Sequence, residues 1–85
     1  MIVDCHTHIP VSKHYALAGI PAAEFLAQMD SFGVDVCWLF TIDGLISDYA
    51  RENDHLWAYV QGYDDRLLPF CTVEPRDGKR AADEM

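Results

Sequence analysis

The stretch VDVCWLF, residues 34–40, indicates the fold, because five consecutive apolar residues follow Asp35. A run that does not alternate between apolar and polar residues is typical of a strand buried on both faces, as in parallel sheets. Similar short apolar runs, IVDCH at residues 2–6 and LLPFCTV at residues 67–73, begin about 33 residues to either side. A unit that recurs at a fixed spacing is the mark of a repeated supersecondary structure. The sequence therefore predicts three strands at residues 2–6, 34–40 and 67–73.

A helix is predicted between the first two strands. Residues 21–33 carry apolar side chains at positions 25, 26, 29 and 32, which is helical spacing. Pro21 suits the first helical turn, and Gly33 suits the C-terminal cap.

The second connection contains another apolar stripe at helical spacing. It predicts a helix from about Arg51 to Tyr63 with Asn53 as its N-cap, while Ser47 and Asp48 offer an alternative start a few residues earlier. After the third strand, residues 74–78 are typical of a loop, and residues 79–85 of the first turns of a third helix.

The predicted order is βαβαβ followed by the beginning of a helix. Connections of this length return each strand parallel to the one before, which gives an α/β fold: part of a doubly wound sheet or of the wall of a (β/α)8 barrel. We expect the strands in spatial order 1-2-3 with right-handed crossovers. Pro69 fits a strand poorly, because it lacks a backbone donor. Eighty-five residues allow a single domain, residues 1–85.

Charge and composition exclude several classes of function. Fourteen acidic against six basic residues give a net charge of −8, which disfavours binding to nucleic acid or to an anionic membrane surface. The longest apolar run is far below the ~18 residues that span a bilayer, and no signal peptide is expected. Three widely spaced cysteines within apolar segments do not suggest a disulfide framework, and we expect them to be packing residues. These features predict a cytoplasmic protein with reduced thiols.

The candidate chemistry lies in DCHTH, residues 4–8, at the carboxyl end of the first strand. Residues two apart in a strand point to the same side, so we expect Asp4, His6 and His8 to share one face. Two imidazoles on one face can bind one metal ion, and parallel α/β proteins place their active sites at this end of the strands. Asp4 would orient one imidazole through a hydrogen bond, or hold the strand to its neighbours. The alternative is a pair of solvated histidines.

The segment DCHTHI, residues 4–9, resembles the opening motif of the amidohydrolase superfamily. The whole chain is similar to the N-terminal part of the amidohydrolase-related group, also called amidohydrolase 2. The similarity extends through MDSFGVD at residues 29–35 and the apolar strand after it. It continues through DRLLPF at residues 65–70 to VEPRDG at residues 73–78.

The resemblance implies a metal-dependent (β/α)8 barrel in which His6 and His8 bind a divalent metal, usually zinc. Its other ligands would come from later strands, and no catalytic residue is assigned within this chain. A barrel takes about 250 residues, or roughly 30 per βα unit, so the chain corresponds to about 2.8 of eight units, the N-terminal part of one barrel domain. We therefore expect weak zinc binding and no turnover from these 85 residues alone.

The resemblance leaves the reaction open. Hydrolysis of an amide, lactone or ester in a small-molecule substrate is the leading expectation. Metal-dependent decarboxylation of an aromatic or related carboxylic acid, known in the same family, is the first alternative. A metal-dependent phosphoesterase matches the later segments less well. An alternative from another class of function is a non-catalytic scaffold that self-associates into a homo-oligomer through exposed sheet edges.

Other polar residues have weaker claims. His14 and Glu74 would contact substrate if the loops after the first and third strands line a pocket, against an ordinary loop and a structural salt bridge as alternatives. Thr41 and Asp43 follow the second strand on the same side, where packing of the loop is the alternative. His55 is expected to be a packing or surface residue.

Overall fold

The computed structural model describes residues 1–10 and 19–85, and these form a three-stranded parallel sheet with helices between the strands. Strand β1 spans Val3–His8, β2 spans Val36–Phe40 and β3 spans Leu67–Pro69. The spatial order is β1-β2-β3, as predicted. The α/β class and the parallel sheet are thus confirmed.

Helix α1, Ala22–Phe32, has the predicted bounds. Pro21 precedes it, and Gly33 ends it in the left-handed conformation at φ 72°, which glycine adopts without steric cost. The amide of Val34 then donates to the carbonyl of Met29 at 2.9 Å, and the chain turns into β2.

Helix α2 spans Tyr49–Val60 and begins earlier than predicted. Its N-cap is Asp48, whose carboxylate accepts a hydrogen bond from the amide of Ala50 at 3.1 Å. The predicted cap, Asn53, lies inside the helix and bonds elsewhere. Helix α3 spans Lys79–Glu84, and short 3-10 turns at Asp43–Leu45 and Pro75–Asp77 lie in segments predicted as loops.

Both long helices pack on the same face of the sheet. Leu39 of β2 and Leu67 of β3 are fully buried in one cluster with residues from both helices. The helical members of that cluster are Ala22 and Met29 of α1 and Leu56 and Val60 of α2. The alternate strand residues Trp38 and Leu68 stay 38% exposed, so the opposite face of the sheet is open in the described part of the chain.

Strand β3 is shorter than the predicted 67–73. The amide of Phe70 still donates to the carbonyl of Leu39 at 2.8 Å, but beyond it Thr72 bonds to α2 instead of to a strand. Since Arg66 and Phe70 both bond to β2, the nitrogen of Pro69 faces away from β2. Proline is tolerated there because no donor is needed on that edge.

Asn53 ties the segment after β3 to two helices. Its amide nitrogen donates to the carbonyl of Thr72 at 2.8 Å and to the carboxylate of Glu84 at 3.0 Å, and its oxygen accepts from the amide of Thr72 at 2.8 Å. One side chain thus satisfies both backbone groups of Thr72. None of the helices in the described residues is long and apolar enough to cross a membrane.

Replacing Asn53 with alanine should lower the free energy of unfolding by about 1–3 kcal/mol, because it leaves the backbone of Thr72 without partners. Urea unfolding followed by circular dichroism measures this. Gln61→Ala is the matched control, because the side-chain amide of Gln61 is exposed and bonds to the carbonyl of Trp57 in its own helix region. This substitution should change the free energy of unfolding by less than about 0.5 kcal/mol. Equal losses in the two variants would contradict the role given to Asn53.

Candidate functional site

The imidazoles of His6 and His8 lie side by side at the carboxyl end of β1. Their ring centroids are 5.3 Å apart and the ring planes make an angle of 65°. His6 is exposed and His8 is half-buried. The structure therefore brings together the two side chains that the spacing predicted on one face.

A register irregularity in β1 determines which residues share that face. Val3 and Asp4 pair with Val36 and Cys37, but the next pairs are Thr7 with Leu39 and His8 with Phe40. Between the paired positions, β1 contains one residue more than β2, as in a β-bulge. The alternation of side chains between the two faces of the sheet is therefore interrupted. Residues an even number of positions apart, one before and one after the extra residue, lie on opposite faces.

Asp4 consequently departs from the predicted arrangement. It lies opposite the buried Cys37 and lines a cavity of about 160 Å³ beside α1, together with Thr7. Its carboxylate accepts a hydrogen bond from the backbone amide of His6 at 3.1 Å. The expectation that Asp4 shares a face with the two histidines is thus wrong; its observed bond stabilises the backbone of the irregular turn.

Burial of Cys37 on the same side raises the pKa of its thiol. The thiols of Cys5 and Cys71 are exposed, although their apolar surroundings in the sequence predicted packing. Cys37 alone has the predicted buried position.

His8 carries an unusual feature for a residue at a strand end. Its Nδ1 atom is buried and has no hydrogen-bond partner among residues 1–10 and 19–85. A buried polar atom without a partner costs about 1–3 kcal/mol, so such an atom calls for an explanation, for example an ion or a water.

The histidine pair borders an aromatic surface that the sequence analysis did not associate with the site. The ring of Phe40 lies 6.3 Å from that of His6 and 6.4 Å from that of His8. Phe70 stacks on Phe40 at 5.2 Å, and Trp38 follows at 5.1 Å from Phe70. Their position in the sequence is the signal that could have revealed this surface. Phe40 and Trp38 alternate with the buried Leu39, so their side chains project to the open face.

The residues present fit a divalent metal in part. Two imidazoles that bind one tetrahedral ion at about 2.0–2.1 Å would hold their ring centres roughly 5 Å apart, which agrees with the observed separation. The unpartnered nitrogen of His8 is consistent with a missing ligand. However, no group of three or more His, Cys, Asp or Glu side chains able to hold a metal lies in the described part of the chain. Further ligands would have to come from outside this set.

The carboxylate of Glu74 is paired with Arg76. The guanidinium donates to both carboxylate oxygens at 3.0 and 2.8 Å, and the backbone amide of Arg76 adds a third bond at 3.0 Å. These bonds lower the pKa of Glu74 to about 2. Glu74 is therefore an ionised carboxylate that caps the turn Pro75–Asp77, and a substrate contact would have to compete with Arg76.

Of the other candidates, His14 lies outside the described residues. Thr41 and Asp43 are buried and line a cavity of about 370 Å³ together with Ile9, the residue that follows β1. The same cavity is lined by Glu52 and His55 of α2, whose side chains lie 3.2 Å apart. His55 was predicted as a packing or surface residue, and it is exposed.

No protein-family model, curated protein or solved structure matches the chain.

The pairing of Glu74 with Arg76 predicts a measurable titration. In Arg76→Gln the pKa of Glu74 should rise from about 2 toward its ordinary value of 4.5, because the hydrogen bonds to the charged form are lost. Since the folded pKa is the lower one, the stabilisation is present above pH 4.5 and disappears as the pH falls through about 2. Carbon-detected NMR of the Glu74 carboxyl group measures both midpoints. Lys79→Gln, which removes a cation paired with Asp83, should leave the midpoint unchanged. An unchanged midpoint in Arg76→Gln would contradict the assignment.

Proposed function

We propose that the chain forms the N-terminal part of a metal-dependent (β/α)8 hydrolase of the amidohydrolase-related family, with His6 and His8 as two of its metal ligands. The observation that carries the proposal is the histidine pair itself, with ring centres 5.3 Å apart at the carboxyl end of β1. The buried Nδ1 of His8, which has no hydrogen-bond partner among the described residues, supports it.

The arrangement of the sheet agrees with a barrel wall, because α1 and α2 share one core cluster with Leu39 and Leu67 on one face. Consecutive helices also share one face within each half of a doubly wound sheet, so the choice of a barrel rests on the resemblance to the family. A barrel wall has its helices outside and the other strand residues inside. On this reading Trp38, Phe40 and Phe70 belong to the barrel interior, and His6 and His8 to its rim.

The residues have separable tasks in this proposal. His6 and His8 would hold a divalent metal, which supplies polarisation of a substrate carbonyl and activation of water when bound. The carboxylate of Asp4 fixes the backbone of His6 and so holds the first imidazole in place. The ring of Phe40 lies beside both imidazoles and gives the site an apolar border.

Decarboxylation of an aromatic acid is the second candidate. The rings of Phe40 and Phe70 are stacked next to the histidines and offer a flat apolar surface on which a substrate ring could pack. The leading proposal remains hydrolysis of an amide, lactone or ester.

Zinc calorimetry on the chain tests the metal site. Binding should be weak, because a catalytic zinc site normally has three protein ligands and the described part of the chain brings two together. It should disappear in His6→Ala and in His8→Ala and persist in the control His55→Ala, which removes an exposed histidine of α2. Zinc binding that survives both of the first two substitutions would exclude the proposed site.

The reaction is tested separately. The 85-residue chain should show no turnover of lactones, aryl esters or hydroxybenzoates with zinc or manganese, because proximity and orientation of a complete site contribute up to about 7–11 kcal/mol. The reading frame that follows the codon of Met85 should encode further βα units, and the longer product should be active and lose activity in His6→Ala. A stop codon at that point, or an active product unaffected by His6→Ala, would contradict the proposal.

A further inference from the structure

Two imidazoles bind one ion well only if their rings are already oriented toward it. In metal sites a hydrogen bond to the second ring nitrogen usually provides that orientation. The Nδ1 atom of His8 has no hydrogen-bond partner among the described residues, so no bond at that nitrogen fixes its ring. Packing against neighbouring side chains is the other means of fixing it.

His8 belongs to a row of rings that crosses the sheet at the carboxyl ends of the strands. His8 is the register partner of Phe40, and Phe70 follows Pro69, the partner of Leu39. The amide of Phe70 donates to the carbonyl of Leu39 at 2.8 Å, which keeps Phe70 level with Phe40. Neighbouring strands lie about 4.8 Å apart, so side chains of one row on the same face are in contact.

Phe40 lies in the middle of this row and meets both imidazoles. Its ring makes angles of 70° with the ring of His6 and 57° with that of His8, at centroid distances of 6.3 and 6.4 Å. Aromatic rings about 4.5–7 Å apart in tilted or edge-to-face arrangements attract one another. On the side of β3, the ring of Phe70 stacks on Phe40 at 5.2 Å and 26°. The half-buried ring of Phe40 is thus held between Phe70 and the histidine pair.

We propose that Phe40 is the positioning residue of the metal site: its ring holds the imidazoles of His6 and His8 at the separation of 5.3 Å that suits one ion. Phe70 acts on the histidines through Phe40. This role rests on the proposed function in that metal binding by His6 and His8 is taken from it. Side chains ordered before binding do not have to lose that freedom when the ion binds, which increases affinity.

Zinc titrations of the 85-residue chain, followed by the NMR shifts of the histidine rings, test the role of Phe40. Phe40→Leu keeps an apolar side chain and removes the ring. The half-saturating zinc concentration should rise about tenfold, because binding must then order two imidazoles. Phe40→Tyr keeps the ring and should stay within about twofold of the unmodified chain. Leu68→Ala, which shortens an open-face side chain that has no ring, is the control and should also stay within about twofold.

The action of Phe70 through Phe40 has its own test. Phe70→Leu should raise the half-saturating zinc concentration about threefold, since it removes the ring that holds Phe40. The double variant Phe40→Leu/Phe70→Leu should bind zinc within about twofold of Phe40→Leu alone, because residues that act in one chain of contacts are not additive. Weakening in the double variant equal to the product of the two single effects would contradict this order of action.

A second measurement needs no zinc. Three-bond NMR couplings across the Cα–Cβ bonds of His6 and His8 report the side-chain rotamers. Each histidine should occupy one rotamer in the unmodified chain and in Phe40→Tyr, and average over several in Phe40→Leu. Circular dichroism verifies that every variant is folded.

The outcomes separate this inference from the proposed function. Unchanged zinc affinity or unchanged couplings in Phe40→Leu would overturn the positioning role and leave the metal site intact. Equal weakening in Leu68→Ala, or in Phe40→Tyr, would also overturn it, because the ring would then not be the cause. Zinc binding to neither histidine would overturn the proposed function, and the positioning role with it.

Discussion

The packing of both long helices against one face of the sheet is the constraint on which the rest of the structure depends. Leu39 and Leu67 contribute fully buried side chains to the cluster that α1 and α2 complete. Crossovers of the same hand between strands taken in sequence order put both helices on the same side. The other face then presents the alternate residues of each strand, including the aromatic side chains next to the histidine pair.

The local irregularity in β1 determines which side chains lie next to the histidine pair. If β1 alternated strictly, Asp4 would lie beside His6 and His8. The extra residue between the pairs Asp4–Cys37 and Thr7–Leu39 instead puts Asp4 toward α1 and keeps both imidazoles on the open face. The carboxylate is still used locally, since it holds the amide of His6. The histidines thus lie beside an apolar aromatic surface rather than beside an acid on the same strand.

Much of the fold could be predicted from sequence because its signals are local. The apolar run of β2, the helical spacing of α1 and the glycine at its end each act within a few residues. The start of α2 could not be decided, since Asp48 and Asn53 are both good caps; Asn53 instead bonds to Thr72, 19 residues away. The length of β3 depends on the same distant contact.

In the candidate site too, features set by local sequence could be predicted, whereas features set by pairing between strands could not. The proximity of His6 and His8 followed from their spacing in a strand. The position of Asp4 depends on pairing between β1 and β2, and the aromatic ladder from Phe40 to Trp38 depends on pairing between β2 and β3. Neither is visible in a single segment. The ion pair of Glu74 and Arg76 joins residues two positions apart in the sequence. Its strength nevertheless depends on the turn that aligns the guanidinium with both carboxylate oxygens.

The central claim is that His6 and His8 share one divalent ion. Long-range proton–nitrogen NMR of the histidine rings, recorded while zinc is added, tests it most directly because each ring nitrogen reports separately. The account predicts that one nitrogen of His6 and one of His8 change together, at the same zinc concentration, while the ring of His55 is unaffected. Separate changes at different zinc concentrations, or a change at His55 alone, would contradict it.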